Sequence, residues 1–311
     1  MSGTARVGLV LAGGGAKGAY QAGVVEYLAS REIEVAAVAG TSIGALNGAV
    51  VAAADTIAAA ADRLSEVWDE IERVGASPAA LPAPPPRATL ADLLAMADSP
   101  VLRPGFVDAM VERYVDAAAF ARPFWVTAFP GVRPGSGRLA PDWLLDLARS
   151  ATGTPSAWLR VDTMPLQLRH QAVLASAALP YFAPGRWVGG TFYRDGGLGG
   201  IPANTPAGPL VAYGDFDLII VTQLTRGVLW DAHDYPRGRF LELRPGEALS
   251  APGLAGTAAG LLDFSPQRLR RLRRQGFEDA RRDLGRAEEL LRAVHDRRSA
   301  QEAMLDSLDD L

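Results

Sequence analysis

The apolar positions of this 311-residue chain alternate between short unbroken runs and longer periodic stretches. Val7-Gly8-Leu9-Val10-Leu11 carries no polar side chain and leads into Gly13-Gly14-Gly15, which reads as a buried strand closed by a turn. Tyr20, Val24, Val25 and Leu28 then continue a helical pattern. A second apolar run, Val35 to Ala39, leads through Gly40-Thr41-Ser42-Ile43-Gly44 into the stretch Ala45 to Val51, whose small residues let a helix pack close to a sheet. Residues 57–74 place Leu64, Val67, Trp68 and Ile71 on one helical face. Pro78, Pro82, Pro84, Pro85 and Pro86 end that pattern, because proline neither continues a helix nor pairs in a central strand. Short amphipathic helices are expected over 90–96 and 106–114. Further strands are expected at Phe124–Phe129, Trp158–Val161 and Asp217–Thr222, and a charged helix from Pro266. Such alternation predicts an α/β sandwich.

The second strand-to-helix junction carries the clearest chemistry. A G-x-S-x-G pentapeptide, Gly40 to Gly44, between an apolar run and a helix is the setting of a nucleophile elbow, with Ser42 at the bend. The serine backbone in such a turn is strained and its neighbours must be small, which accounts for Gly40 and Gly44.

The first junction supplies a complement. Gly13-Gly14-Gly15-Ala16-Lys17-Gly18 joins a strand to a helix, so its N–H groups, backed by the positive end of the helix dipole, form an anion-binding nest. Acyl transfer needs such a nest for the oxyanion of its tetrahedral intermediate. Lys17 is the only lysine in the chain. Its plain reading is an exposed helix residue; its functional reading is an ammonium that steadies the glycine turn or a substrate phosphate. Downstream, Asp195-Gly196-Gly197 follows Trp187-Val188 and Phe192-Tyr193, presenting a carboxylate at a strand end where the chain turns, as a base requires. A dinucleotide fingerprint would also read Gly13-x-Gly15-x-x-Gly18, but it wants an acidic residue ending the second strand, and that run ends in Gly40-Thr41-Ser42. The spacing of a Walker phosphate loop is absent as well.

These three motifs, in this order, resemble the patatin-like phospholipase family of lipid acyl hydrolases. A fourth segment, Ala175-Ser176-Ala177-Ala178-Leu179-Pro180, also matches the family's pattern, and the resemblance is strong over about 5–55 and 165–225. It implies a three-layer α/β/α sandwich with a central, mostly parallel sheet and a nucleophile elbow. It also implies a dyad in which Ser42 attacks an acyl carbonyl and Asp195 takes its proton directly. Gly13, Gly14, Gly15 and Ala16 then form the oxyanion hole, with Lys17, Gly18, Gly40, Gly44, Gly196 and Gly197 in support, and Asn204 is a candidate hydrogen-bonding residue behind them. The substrate class is fatty-acyl esters of lipids and phospholipids. The same dyad would serve an acyltransferase or thioesterase, and a non-catalytic lipid- or nucleotide-binding module is the remaining reading.

A Ser-His-Asp triad finds no support, since His170, His233 and His295 lie outside the motifs. His170 reads as a helix-surface residue, His233 as part of a polar loop, and His295 as part of a charged helix.

Composition narrows the remaining choices. With 49% hydrophobic and 21% charged residues, the chain suffices for one large α/β domain, expected over 1–297, with a cap or lid segment around 76–122 and a polar tail over 298–311. A net charge of −4 gives no argument for nucleic acid as a partner. The absence of cysteine excludes disulfides and thiolate metal sites, no Asp/Glu/His cluster has ligand spacing, and neither metal nor cofactor is expected. No signal peptide and no membrane span is apparent, so a cytoplasmic protein with peripheral membrane contact is the expectation. Arg268, Arg270, Arg271, Arg273 and Arg274 read first as a solvated helix face and second as a contact for anionic headgroups.

Overall fold

Residues 5–76, 99–103, 105–135, 141–227 and 230–286 are described by the computed structural model. The proline-rich stretch, the helix expected over 90–96, His295 and the tail over 298–311 lie outside them. The strands are β1 (Val7–Leu11), β2 (Val35–Gly40), β3 (Phe124–Pro130), β4 (Ala157–Arg160), β5 (Arg186–Val188), β6 (Thr191–Asp195), β7 (Leu218–Thr222) and β8 (Phe240–Leu243). The helices are α1 (Gly18–Ser30), α2 (Ile43–Ala53), α3 (Ile57–Gly75), α4 (Phe106–Tyr114), α5 (Asp142–Ala151), α6 (Leu166–Ser176), α7 (Ile201–Asn204), α8 (Gly208–Tyr213), α9 (Gly253–Leu262) and α10, over 266–286.

The strands form one sheet in the order β5-β6-β3-β2-β1-β7-β8, with β4 also on β3. Its continuous part, β3-β2-β1-β7-β8, is parallel. The additions at the β3 edge are antiparallel: β4 along Trp125–Ala128 and β6 along Ala128–Pro130, with β5 beyond β6. β1 lies at the centre and is buried at all five positions, as a strand covered on both faces must be. Its side chains alternate between two cores: Val7, Leu9 and Leu11 pack with α1, α2 and α3, while Val10 packs with Ala207, Leu210 and Phe216 on the opposite face. The result is the expected α/β/α layering. β8, α5 and α9 were not foreseen from the apolar pattern; β8 is recognisable through its parallel pairing with β7.

The helix ends explain how the layer over the active face is held. The Thr56 hydroxyl accepts from Ala59 N at 3.1 Å, capping α3, and the Glu34 carboxylate accepts from Ile57 N at 3.1 Å. Ser42 occupies the corresponding position of α2 but makes no side-chain cap, leaving its hydroxyl uncommitted to the helix. Among the described residues no helix is long and apolar enough to cross a membrane.

Candidate active site

The site lies where β1, β2 and β6 end. Ser42, between β2 and α2, has φ 55° and ψ −123°, a left-handed conformation uncommon for a side-chain-bearing residue and worth about 1–3 kcal/mol of strain. The flanking glycines are sterically required. A Cβ on Gly40 would stand 2.2 Å from the Gly44 carbonyl oxygen, and one on Gly44 would stand 2.1 Å from that of Leu11. The backbone N–H of Ser42 donates to the Ser176 hydroxyl at 3.1 Å, and Ser176, at the end of α6, is fully buried. Beside it, the buried Thr41 and Thr127 hydroxyls lie 2.5 Å apart and both approach the Ala203 carbonyl oxygen, at 2.6 and 3.1 Å. This cluster joins the elbow, β3 and the chain after Asp195.

Asp195 ends β6 and is 3% exposed. Its Oδ1 accepts from Gly197 N at 2.8 Å. Oδ2 has no partner of proper hydrogen-bond geometry, although the Ser42 hydroxyl is close enough to favour the ionised carboxylate. In the absence of substrate, nucleophiles and bases in general often stand in looser contact than a formed hydrogen bond. Burial pushes the Asp195 carboxyl up to about 6, against the opposing pull of Ser42 and the Gly197 N–H. A carboxylate so raised is a stronger base than one in water. Gly196 is required here too, since its Cβ would meet the Thr127 carbonyl oxygen at 2.3 Å.

The glycine turn lies alongside. Gly15 has φ 55°, and a Cβ there would fall 2.2 Å from the Leu261 carbonyl oxygen of α9. The turn's donors divide. Gly13 N–H is already given to the Asn204 carbonyl at 3.1 Å, so the expected oxyanion role of Gly13 is corrected: its donor is occupied by the chain itself. The N–H groups of Gly14, Gly15 and Ala16 have no partner among the described residues, and Gly14 and Gly15 line the same cavity as Ser42 and Asp195. Gly18 is packed against Ile43 and Trp68, where a Cβ would stand 2.2 Å from Ile43 Cγ1. A buried amide network ties this turn to the elbow helix. Asn47 Nδ2 donates to Gly18 O and Gln21 Oε1, both at 3.0 Å, Trp68 Nε1 donates to Asn47 Oδ1 at 3.1 Å, and Gln21 Nε2 donates to Ala12 O at 2.7 Å.

Lys17 is not the exposed helix residue of its plain reading. It is 3% exposed and lines the cavity, with no hydrogen bond or ion pair among the described residues. Burial, reinforced by repulsion from Arg268, pushes its ammonium down to about 8. Arg268 itself is committed, donating to the carbonyls of Asp263, Leu249 and Gly260. Two other arginines of that helix pair with neighbouring helices: Arg270 with Glu72 at 2.9 Å, and Arg273 with Glu26 and Asp69. Arg268 and Arg273 therefore tie α10 into the fold, while Arg270 makes its ion pair from the solvent-exposed face of the helix, as Arg271 and Arg274 are also exposed.

The cavity has a volume of about 440 Å³, within the range of small-molecule sites. Ser42, Asp195, Lys17 and Asn204 line it among mostly apolar side chains: Leu46 and Val50 of α2, Val67 and Ile71 of α3, Phe106, Met110 and Tyr114 of α4, and Leu179 and Phe182. Part of the expected cap segment, Val101 to Val115, therefore walls it. Neither His170 nor His233 reaches it. The half-buried His170 ring lies 2.8 Å from Val115 O, and the exposed His233 pairs with Asp231. Ser176, Thr127 and Gln21 had no assigned role in the sequence; the adjacency of Thr41 to Ser42 and the family-like segment holding Ser176 were the available signals.

The family described as patatin-like phospholipase matches residues 9–211. No curated protein matches the chain. Among solved structures, VipD from Legionella pneumophila is similar at 14% identity and TM-score 0.45, covering 91% of this chain and 67% of that one. ExoU in its complex with SpcU, from Pseudomonas aeruginosa, is similar at 14% identity and TM-score 0.37, covering 91% of this chain and 52% of that one.

Proposed function

The chain belongs to the patatin-like phospholipase family, and we propose that it is a serine acyl hydrolase that cleaves fatty-acyl esters of lipids and phospholipids through a Ser42–Asp195 dyad. Family membership supports lipid hydrolysis. The observation that carries the finer reading is a strained, uncapped Ser42 hydroxyl beside a buried Asp195 carboxyl raised to about 6, both at one apolar cavity.

In this mechanism Asp195 takes the proton as Ser42 Oγ bonds to the acyl carbonyl carbon. The carbonyl oxygen gains negative charge and is met by the free N–H groups of Gly14, Gly15 and Ala16. The C–O bond to the alcohol then breaks, and Asp195 returns the proton to the leaving oxygen. Water repeats the sequence on the acyl-enzyme and releases a fatty acid. The acyl chain occupies the apolar wall formed by α2, α3 and α4, which makes Val101 to Val115 a cap within a single catalytic domain. Lys17, charged below about pH 8 and without a hydrogen-bond or ion-pair partner among the described residues, holds the phosphate of a phospholipid substrate.

The test is hydrolysis of p-nitrophenyl esters of graded chain length by wild type, Ser42→Ala and Asp195→Asn, with a fluorophosphonate label located by peptide mass spectrometry. Labelling at Ser42 and loss of turnover in both variants support the dyad; turnover surviving Ser42→Ala overturns it.

A further inference from the structure

Helix α5 is folded inside out. Leu144, Leu147, Ala148 and Ala151 recur at the i, i+3, i+4, i+7 spacing that turns toward the core in an ordinary surface helix. Here that stripe faces outward: Leu144 is 42% and Leu147 41% exposed, and both alanines are exposed. The polar side is the buried one. Asp146 is 0% exposed, accepting from Val132 N at 2.7 Å and pairing with Arg194 Nε at 3.0 Å, and the Ser150 hydroxyl donates to Leu198 O at 2.5 Å. Rotating the helix to bury its leucines would expose the Asp146 pair and strip Arg194 of its partner, so the orientation is set by a buried ionic contact.

A chain of ring contacts links α5 to the cavity wall. Trp143 of α5 packs on Tyr181, their ring centroids 6.1 Å apart, and Tyr181 packs on Phe182 at 5.3 Å. Phe182 and Leu198 both line the cavity. Tyr181 is 57% exposed and held at φ 72°, so the backbone is strained where this ring stands in solvent. Trp187, 47% exposed, carries the exposed Arg133 over its ring at 5.9 Å. Exposed apolar side chains flanked by tryptophan, tyrosine and arginine match the composition of a bilayer interface, where amphipathic rings and cations sit at headgroup level. Arg149 and Arg194 are paired with the buried Asp146 and Arg186 with Asp108, so Arg133 over Trp187 is the cation this face presents to solvent.

We propose that the outer face of α5, with Tyr181 and Trp187, is the surface by which this protein docks on a phospholipid bilayer, bringing the cavity mouth to the acyl chains. The choice of a bilayer as occupant rests on the lipid-hydrolase reading above. A second copy of the chain would cover the same stripe and is the competing occupant.

The experiment measures vesicle binding separately from turnover. Ser42→Ala protein is sedimented with phosphatidylcholine vesicles containing phosphatidylglycerol, with and without Leu144→Ser/Leu147→Ser. The double substitution is expected to weaken binding at least tenfold, and Leu144→Met/Leu147→Met to preserve it. In the Ser42-containing enzyme the serine pair is expected to lose vesicle hydrolysis in parallel while turnover of a soluble short-chain ester is unchanged, which also reports that the fold is intact. Equal vesicle binding with and without the serine pair overturns the proposal, as does a protein that ignores vesicles and forms a dimer dissociated by the same substitutions. Binding that depends on Leu144 and Leu147 in a protein that hydrolyses no lipid would uphold the surface and defeat the hydrolase reading alone.

Discussion

The backbone N–H of Ser42 is held by the hydroxyl of Ser176, a residue 134 positions away that is fully buried at the end of α6. In a left-handed turn that N–H has no helical or strand partner, so one side-chain acceptor helps to hold the strained residue in place.

Ser176→Ala removes that acceptor without adding bulk. An orphaned buried donor costs about 1–3 kcal/mol. The expected result is a fall in kcat on soluble p-nitrophenyl esters of roughly five- to a hundredfold with little change in KM, and slower fluorophosphonate labelling of Ser42. Unchanged labelling would mean that the contact is only structural.

The pH profile follows from two perturbed groups. Asp195, raised to about 6, must be ionised to act as base, so kcat/KM is expected to rise through pH 6 for every ester. Lys17, lowered to about 8, must be charged to hold a phosphate, so a falling limb near pH 8 is expected for phospholipid and not for a neutral ester. Lys17→Met should abolish that limb and raise KM for the phospholipid alone. A falling limb shared by both substrates would assign Lys17 to the glycine turn instead.

Asp195→Asn is expected to be inactive and more stable. Because the folded-state value of Asp195 lies above the ordinary 3.8, its contribution favours the fold below about pH 3.8 and is lost as pH rises through about 6. At pH 7.5 the buried ionised group therefore burdens the native state by an amount on the order of 1–3 kcal/mol. Thermal denaturation should show a raised Tm for the asparagine variant at pH 7.5 and a much smaller difference at pH 4. A lowered Tm at pH 7.5 would contradict the burial argument.

Gly15→Ala tests the oxyanion turn. The methyl would collide with the Leu261 carbonyl at a left-handed residue, so the turn must move and carry its free donors with it. Loss of an oxyanion donor is worth about 10²–10³ in kcat. A loss of that size in steady-state assays, with native circular dichroism, is the expected outcome; near wild-type kcat would remove Gly15 from the site.

Features governed by a few consecutive residues were legible before the structure. The strand at Val7–Leu11 and the helix at 106–114 follow from apolar spacing alone. The glycine turn and the elbow were readable because close approach of one backbone to another, as at Gly40, Gly44 and Gly196, leaves glycine as the residue that fits. Those constraints are written in the chain where they act.

The remainder needed partners that no local pattern names. Whether Gly13 N–H is free depended on Asn204, and the accessibility of the Lys17 ammonium depended on a cavity that α9 helps to wall. The ion pairs of Arg270 and Arg273 required α1 and α3 to present Glu26, Asp69 and Glu72 beside α10. For α5 the apolar periodicity alone would point to the wrong face, because the Asp146–Arg194 pair outweighed the burial of two leucines. Sequence by itself determined the two glycine-built turns, the residues they carry and the strands and helices that flank them, since covalent geometry and steric exclusion act over a few positions. Tertiary structure alone decided which donors are free, which charges are buried and which apolar face meets solvent, since each depends on the dielectric and the partners supplied by distant segments.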